Sequence, residues 1–282
     1  MILVTGATGN IGSEVLAQLV QAGHAVRVLA RDPAKLEKYA GKIEVVKGDL
    51  SKPETLDAAF AGVDKAFVLC NAGDLPTLVG NATDAAKKAG VKHIVMLSSA
   101  SVVDEQPTQI GRWHIEGEAK VKASGIPWTM LQPGAFASNT LQWVASIKAN
   151  GAVFLPMGEG KMTPIDPHDI ADVAVKVLTE PGHEGKSYEL SGPEALTTAE
   201  QLAKISAAIG KPLKYVAVTP EAAREGMAKA GMPEVFINAM LEISARVREG
   251  HGWEANGTVE QLLGRKARPY EDWLSRNVAA FQ

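Results

Sequence analysis

The chain has 282 residues, a mass of 29.8 kDa and a formal net charge of −3. Apolar residues make up 46% of it and charged residues 22%, which excludes disordered, collagen-like and coiled-coil chains. Because nucleic-acid-binding proteins carry a basic surplus, the charge balance argues against a nucleic-acid partner.

Cys70 is the single cysteine, so the chain can form no internal disulfide, and we expect a reducing compartment. The sequence shows no cysteine cluster, and no metal site is predicted. No apolar run approaches the length of a membrane span, so no membrane partner is expected. An apolar strand beginning at Met1 leaves no basic leader, and we expect a cytoplasmic protein.

Short apolar runs alternate with helical patterns through the first half of the chain. The runs lack polar alternation, so each is predicted to be a strand buried on both faces. This βαβ order predicts an α/β, Rossmann-like, doubly wound parallel sheet with helices on both faces. The predicted strands are Met1–Thr5, Ala25–Ala30, Ile43–Gly48, Ala66–Cys70, His93–Leu97 and Trp128–Leu131.

The pattern changes after Gly151, and helices dominate beyond residue 197. We expect a first domain over residues 1–150, with residues 165–190 returning to it. Residues 191–282 are predicted to form a smaller, mainly helical C-terminal lobe. A strand is predicted over Ser187–Leu190, and the predicted helices are Pro167–Leu178, Thr198–Ile209, Pro220–Ala230, Pro233–Arg248, Val259–Leu263 and Tyr270–Phe281.

The strongest motif is a glycine-rich loop between the first strand and the first helix. Glycines at this spacing allow a tight turn, bring backbone N–H groups close to a pyrophosphate and let helix and strand pack closely. The helix N-terminus directs its partial positive charge at the phosphates. The loop, Thr5-Gly6-Ala7-Thr8-Gly9-Asn10-Ile11-Gly12, therefore predicts a dinucleotide site, and the first domain is predicted to bind NAD(P).

Arg31, at the end of the second strand, predicts the choice of cofactor. An NAD site places a carboxylate there for the ribose hydroxyls, whereas a guanidinium suits the 2′-phosphate of NADP. Asp32 precedes Pro33 and is predicted to cap the next helix instead. Lys35 adds a second positive charge one turn later. Asp49, after the third strand, is placed either to approach the adenine or to form a turn.

Several segments together resemble the NmrA-like family of atypical short-chain dehydrogenases. The likeness covers nearly the whole chain and implies an NADPH-binding reductase. The family includes quinone, triphenylmethane-dye and phenylcoumaran-type reductases, and also NmrA, a dinucleotide-binding regulator without turnover. The resemblance rests on Thr5–Gly12, Arg31-Asp32-Pro33, Gly48-Asp49-Leu50, Ser124–Thr129, Pro133-Gly134, Gly160–Met162, Asp169–Ala174, Gly264-Arg265 and Tyr270–Trp273.

The resemblance implies further cofactor contacts at the ends of later strands. Besides the glycine loop and Arg31, it implies contacts at Leu50 and in the loops after the fourth and sixth strands. His168 aligns with a polar contact of the quinone reductases. The positions in those two loops are Leu69, Cys70, Asn71, Ala72 and Gly73, and then Pro133, Gly134 and Phe136, the latter loop extending to Ser138.

The usual catalytic pair of short-chain dehydrogenases is absent from the sequence. None of the four tyrosines has a lysine four residues later. Phenylcoumaran-type relatives carry a lysine at the position of His114. A histidine there either donates a proton near neutral pH or is a surface or capping residue. Glu118, one turn on, either orients His114 or is an ordinary exposed carboxylate. Ser98 stands where the standard catalytic serine lies, and is counted among the cofactor contacts.

Phe136 is placed to cover the nicotinamide, and several methionines and aromatics suit a flat apolar pocket. We therefore predict hydride transfer from NADPH to a flat conjugated acceptor such as a quinone. The first alternative is a non-catalytic NADP-binding redox sensor of the NmrA type, and the second is an isomerase or dehydratase. The sequence leaves a homodimer open. The predicted substrate residues are Phe136, Trp143, His168, Met232 and Phe236.

Overall fold

The computed structural model describes residues 1–70, 74–252 and 254–282. The chain divides into two compact units. The first comprises Met1–Pro133 and Pro167–Glu189, and the second comprises Gly134–Asp166 and Leu190–Gln282. None of the helices in these ranges is long and apolar enough to cross a membrane.

The strands and helices follow the α/β order that the sequence predicts. The strands are β1 Ile2–Val4, β2 Val26–Ala30, β3 Glu44–Lys47, β4 Lys65–Val68, β5 His93–Leu97, β6 Trp128–Pro133, β7 Ala152–Leu155, β8 Lys161–Met162, β9 Lys186–Leu190, β10 Leu196–Thr197 and β11 Lys214–Ala217. The α-helices are α1 Asn10–Gln21, α2 Asp57–Phe60, α3 Leu75–Ala89, α4 Gln109–Ala123, α5 Val144–Asn150, α6 Pro167–Thr179, α7 Thr198–Ile209, α8 Pro220–Lys229, α9 Glu234–Arg248, α10 Thr258–Leu263 and α11 Tyr270–Asn277.

A seven-stranded sheet of order β3-β2-β1-β4-β5-β6-β9 forms the centre of the first unit. The first six strands pair in parallel. The chain order reverses between β1 and β4, the switch point beside which nucleotides bind in doubly wound sheets. The predicted Rossmann-like fold is confirmed.

Helices cover the sheet because the strands expose apolar side chains on both faces. Leu3 in β1, Val28 in β2 and Val95 in β5 are buried. Helix α1 packs against α6, and α3 packs against α4. The helices cover the two faces of the sheet, and the loops at the carboxyl ends of the parallel strands remain available to form a ligand site.

The second unit has its own core and two small sheets that the sequence analysis does not predict. Strand β8 pairs antiparallel with β10, and β7 pairs parallel with β11. The core gathers α11, α7 and the segment that follows β6. Its largest members are Tyr270, Trp273, Leu202, Ile205 and Phe281.

The boundary between the units differs from the predicted one at residue 150. Residues 134–150 belong to the second unit, because Ala137 and Ile147 are buried in its core. The hydroxyl of Tyr270 also reaches the Thr140 side chain over 3.0 Å. The apolar pattern of residues 134–150 therefore serves the second core and not the sheet.

Candidate functional site

The glycine-rich loop joins β1 to α1 and is tied to the end of β4. The Thr5 hydroxyl accepts from the Leu69 N–H over 2.8 Å and contacts the Leu69 carbonyl oxygen over 3.1 Å. Gly6 has φ +65°, and a Cβ there would lie 2.8 Å from Leu69 Cδ2. Glycine is needed for both reasons, since the left-handed region and the close contact exclude a side chain.

The N-terminus of α1 offers its N–H groups to an anion. The Gly9 cap provides no side-chain hydrogen bond, and the first turn of this helix contains no acidic residue. Thr8, Gly9 and Asn10 are exposed, whereas Ala7, Ile11 and Gly12 are buried. The helix end therefore combines an unneutralised partial positive charge with an open backbone surface, which suits a pyrophosphate.

Exposed cations follow the end of β2, as the predicted NADP site requires. Arg31 and Lys35 are both exposed. Asp32 acts as the predicted helix cap, because its carboxylate accepts from the Ala34 N–H over 3.3 Å. Pro33–Tyr39 is a 3₁₀ helix. The acidic side chain nearest in sequence is thus engaged locally, and the guanidinium remains at the surface.

Asp49 and Leu50 follow β3 and are held by local hydrogen bonds. The Asp49 carboxylate accepts from the backbone N–H and the hydroxyl of Ser51, each over 2.9 Å. The Ser51 N–H, together with the charge of Arg31, holds the pKa of Asp49 below its usual value. The Leu50 carbonyl accepts from the Asn81 amide over 2.8 Å. Asp49 is therefore an ionised turn residue with Arg31 nearby.

Leu69 and Cys70 follow β4 and are half-buried. Burial raises the pKa of the Cys70 thiol to about 12, so the sulfur is protonated and unreactive at neutral pH. The predicted contacts Asn71, Ala72 and Gly73 lie outside the described residues. Among the described residues, no group of three or more His, Cys, Asp or Glu side chains could hold a metal ion.

His114 lies on α4 and is half-buried. Burial lowers the pKa of His114 to about 4, although the negative charge of Glu118 acts to raise it. The expectation that His114 titrates near neutral pH is wrong, because desolvation disfavours the imidazolium. The neutral ring still carries one N–H that it can donate. Its Nδ1 is buried and has no hydrogen-bond partner in the described chain.

Glu118 is not the ordinary exposed carboxylate that the sequence analysis considered, since only 4% of it is accessible. Its Oε1 accepts from the Ser98 hydroxyl over 2.6 Å and from the Gln132 amide over 2.8 Å. Its Oε2 accepts from Lys122 Nζ over 2.8 Å. It does not orient His114 by a hydrogen bond through Nδ1. The sequence gives one signal for this cluster, a carboxylate on the helix face of His114.

Pro133 ends β6 in the first unit, and Gly134 begins the second unit. The Gly134 N–H donates to the Leu190 carbonyl over 3.0 Å. Phe136 is half-buried and bridges to Ile165. The loop after β6 is therefore held by backbone contacts on both sides of Phe136.

The predicted substrate residues divide between the two units. Trp143 is half-buried and packs against the second core. Met232 and Phe236, around the start of α9, are also half-buried. His168, in the first unit, places Nε2 3.1 Å from Glu14 Oε2 on α1. Its ring therefore contacts the helix that begins at the glycine loop.

A seven-stranded doubly wound sheet with this loop defines a dinucleotide-binding Rossmann protein. Residues 6–181 match the family described as NAD(P)H-binding. The chain belongs to this family, and its resemblance to the NmrA-like atypical short-chain dehydrogenases is confirmed.

Two relatives match the chain over its full length. One is the NAD(P)H azoreductase of Xenophilus azovorans, 43% identical over all of this chain and 99% of the relative. The other is a (4-alkanoyl-5-oxo-2,5-dihydrofuran-3-yl)methyl phosphate reductase of Streptomyces griseus, 41% identical over the same shares. The structure of the Escherichia coli NADPH-dependent quinone oxidoreductase with NADPH is 28% identical. It has a TM-score of 0.87 and covers 98% of this chain and 99% of that one.

Proposed function

We propose that this protein is an NADPH-dependent reductase that transfers hydride to a flat conjugated acceptor such as a quinone. The observation that carries the proposal is the glycine loop with the open N-terminus of α1 behind it. That loop fits a pyrophosphate, and the exposed Arg31 and Lys35 fit a 2′-phosphate. When bound, NADPH supplies a hydride from C4 of its nicotinamide.

Each part of the first unit has an assigned task in this proposal. The backbone of Gly6–Gly12 holds the pyrophosphate, and Arg31 with Lys35 holds the 2′-phosphate. Asp49 and Leu50 border the adenine, while Leu69, Cys70 and Ser98 border the nicotinamide side. Pro133, at the end of β6, borders the nicotinamide side as well.

The choice of acceptor follows from the proton donors that the site offers. Neutral His114 can donate a hydrogen bond to a developing oxyanion but transfers a full proton poorly. A quinone spreads its negative charge over a conjugated system and needs little acid assistance, whereas the localised alkoxide formed from an alkyl ketone needs a group that transfers a proton to it. The azo group, dihydrofuranone and quinone in the relatives' names are conjugated acceptors of this kind.

We assign the second unit the role of a substrate lobe, to which Phe136, Trp143, Met232 and Phe236 contribute apolar surface. These side chains are half-buried, and aromatic rings together with an adaptable methionine suit a flat apolar ligand. We propose a cytoplasmic location, and the oligomeric state stays open between a monomer and a homodimer. The lone thiol of the protein needs no oxidising compartment, and size-exclusion chromatography with light scattering distinguishes the two oligomeric states.

The test is the loss of NADPH absorbance at 340 nm with a panel of quinones, azo dyes and alkyl ketones. We expect turnover of the conjugated acceptors and slow or no turnover of the ketones. Comparable kcat/KM for 1,4-benzoquinone and a small alkyl ketone would contradict the proposal. Tight NADPH binding with no turnover of any acceptor would instead support a redox sensor.

A further inference from the structure

The first unit contains a buried carboxylate, Glu118, and its burial carries a desolvation cost. Glu118 lies on α4 with both carboxylate oxygens bonded to donors from three positions, namely Ser98, Gln132 and Lys122. Removing a carboxylate from water costs several kcal/mol, and a well-packed apolar residue is often as stable in its place. A contribution to stability alone is thus a weak reason for a charge here.

Two of the three donors to Glu118 come from the ends of two neighbouring strands. Ser98 directly follows β5, and Gln132 is the penultimate residue of β6. These strands are parallel neighbours, so both residues lie at the carboxyl edge of the sheet, where ligands bind in this fold. Glu118 therefore ties α4 to the edge that the cofactor site occupies.

The hydrogen bond to Glu118 fixes the direction of the Ser98 hydroxyl. An ionised carboxylate can only accept, so the proton of Ser98 Oγ points to Glu118 over 2.6 Å. The oxygen of Ser98 then presents lone pairs to any other partner. A serine held this way accepts a hydrogen bond and does not supply a proton.

His114 belongs to the same arrangement through the helix. It precedes Glu118 by four residues, so the two side chains lie on one face of α4. The negative charge of Glu118 raises the pKa of the half-buried His114 ring, whereas burial lowers it. Neutralising Glu118 therefore changes the electrostatic surroundings of His114.

We propose that Glu118 is a positioning residue of the reductase site: its buried charge orients the Ser98 hydroxyl as an acceptor and sets the electrostatic surroundings of His114 on the same helix face. The inference rests on the proposed reductase function. Glu118 touches neither acceptor nor cofactor in this account, and acts through Ser98 and His114.

The experiment is a double-mutant cycle of Glu118→Gln and Ser98→Ala on kcat/KM for a quinone. Misplacing a catalytic group costs roughly 10–100-fold, so each single variant should lose that much. The double variant should lose no more than the worse single one, because both changes break the same contact. Losses that multiply, or a folded Glu118→Gln variant within twofold of wild type, would overturn the proposal.

A second measurement needs no turnover. In protein labelled at histidine ¹³Cε1, the His114 signal of the unliganded protein should shift in Glu118→Gln. Glu116→Gln, an exposed carboxylate on the same helix, is the matched control and should leave signal and kcat/KM unchanged. An unmoved His114 signal in folded Glu118→Gln would count against the proposal even if the protein reduces no acceptor.

If Glu118→Gln does not fold, Gln132→Leu takes its place. This variant removes one donor and leaves the carboxylate. It should shift the His114 signal and lower kcat/KM, while a folded Gln132→Leu variant with both unchanged would refute the proposal. A purely structural role would lower the melting temperature without changing kcat/KM of the folded protein.

Discussion

The carbonyl oxygen of Gly6 fills the space that a side chain at Gly12 would need. A Cβ built on Gly12 would lie 2.2 Å from this oxygen and 2.6 Å from the carbonyl carbon. Both atoms belong to the backbone, so the contact cannot be relieved by rotating a side chain. The first turn of α1 therefore passes against the loop that precedes it, and this contact sets the shape of the phosphate site.

Gly12→Ala should weaken both folding and cofactor binding. Forcing a methyl group into a packed site costs about 1–3 kcal/mol of unfolding free energy, and the loop that must shift carries the proposed phosphate contacts. Denaturant unfolding and NADPH calorimetry measure the two effects. Gly226→Ala is the control, because Gly226 lies in α8 with open space around its Cβ position. Wild-type NADPH affinity in Gly12→Ala would contradict this account of the loop.

Arg31→Ala should remove most of the preference for NADPH over NADH. A charge-assisted contact contributes about 1.5–3 kcal/mol, so the wild type should bind NADPH roughly 10–100-fold tighter at low salt. The variant should lose NADPH affinity and keep its NADH affinity. Raising the salt concentration should reduce the difference between the wild-type affinities for NADPH and NADH, because Arg31 is exposed. Lys38→Ala changes an exposed lysine on the 3₁₀ helix that follows Arg31, and it should change neither affinity. Equal loss of both cofactors in Arg31→Ala would show that Arg31 does not distinguish them.

His114→Ala should lower kcat with NADPH affinity unchanged. Losing one donor to a developing oxyanion costs roughly 10²–10³-fold in kcat. Because burial lowers the pKa of His114 to about 4, the pH profile should show no inflection from this residue between pH 6 and 8. His24→Ala, which changes a histidine beyond the far end of α1, is the control. An unchanged kcat in His114→Ala would make His114 a structural residue.

His93 should make the folded protein sensitive to acid. The Thr129 hydroxyl donates to the His183 carbonyl over 2.7 Å, so it accepts from His93 Nε2 over 2.9 Å. The His93 Nδ1 is buried and has no partner among the residues described. Burial, with the charge of Lys65, lowers the pKa of His93 to about 4 from an unfolded value of 6.5. The folded protein therefore holds a neutral ring where the unfolded chain takes up a proton.

The lowered pKa of His93 determines the direction in which the stability changes with pH. Above pH 6.5 both states are neutral and this contribution to stability is complete. As the pH falls from 6.5 towards 4, only the unfolded chain is protonated, so stability decreases, and below pH 4 the loss levels off. At pH 4.5 it amounts to about 2–3 kcal/mol. His93→Gln should remove that part of the pH dependence, and His251→Gln, an exposed control, should not. Unfolding titrations at pH 7 and 4.5 measure it, and an unchanged difference in His93→Gln would refute the assignment.

The sequence predicts the elements of the sheet because their signals are local. The bounds of β5 agree with the predicted His93–Leu97, and the cap at Asp32 has the predicted contact. The burial of Glu118, in contrast, cannot be predicted from local signals. Nothing in the helix pattern of α4 distinguishes its buried carboxylate from the exposed Glu116, since burial depends on Ser98 and Gln132 from distant strands.

Long-range pairing also explains why the sequence does not predict the small sheets of the second unit. Strands β7 and β11 are short, and their partner lies about sixty residues away, so neither segment has a strong strand signal alone. The sequence does not predict the neutral ring of His114, because desolvation depends on surroundings that the sequence does not show. The glycine loop was recognisable because its geometry is set by neighbours in sequence.

The most direct test of the central claim is a single-turnover measurement with NADPH deuterated at C4. Wild-type protein loaded with this cofactor is mixed with a quinone, and the decay at 340 nm is compared with that for unlabelled NADPH. The account predicts rapid oxidation that is slower with the deuterated cofactor, because hydride leaves C4. An absence of oxidation, or a rate unaffected by the label at the transferred position, would contradict it.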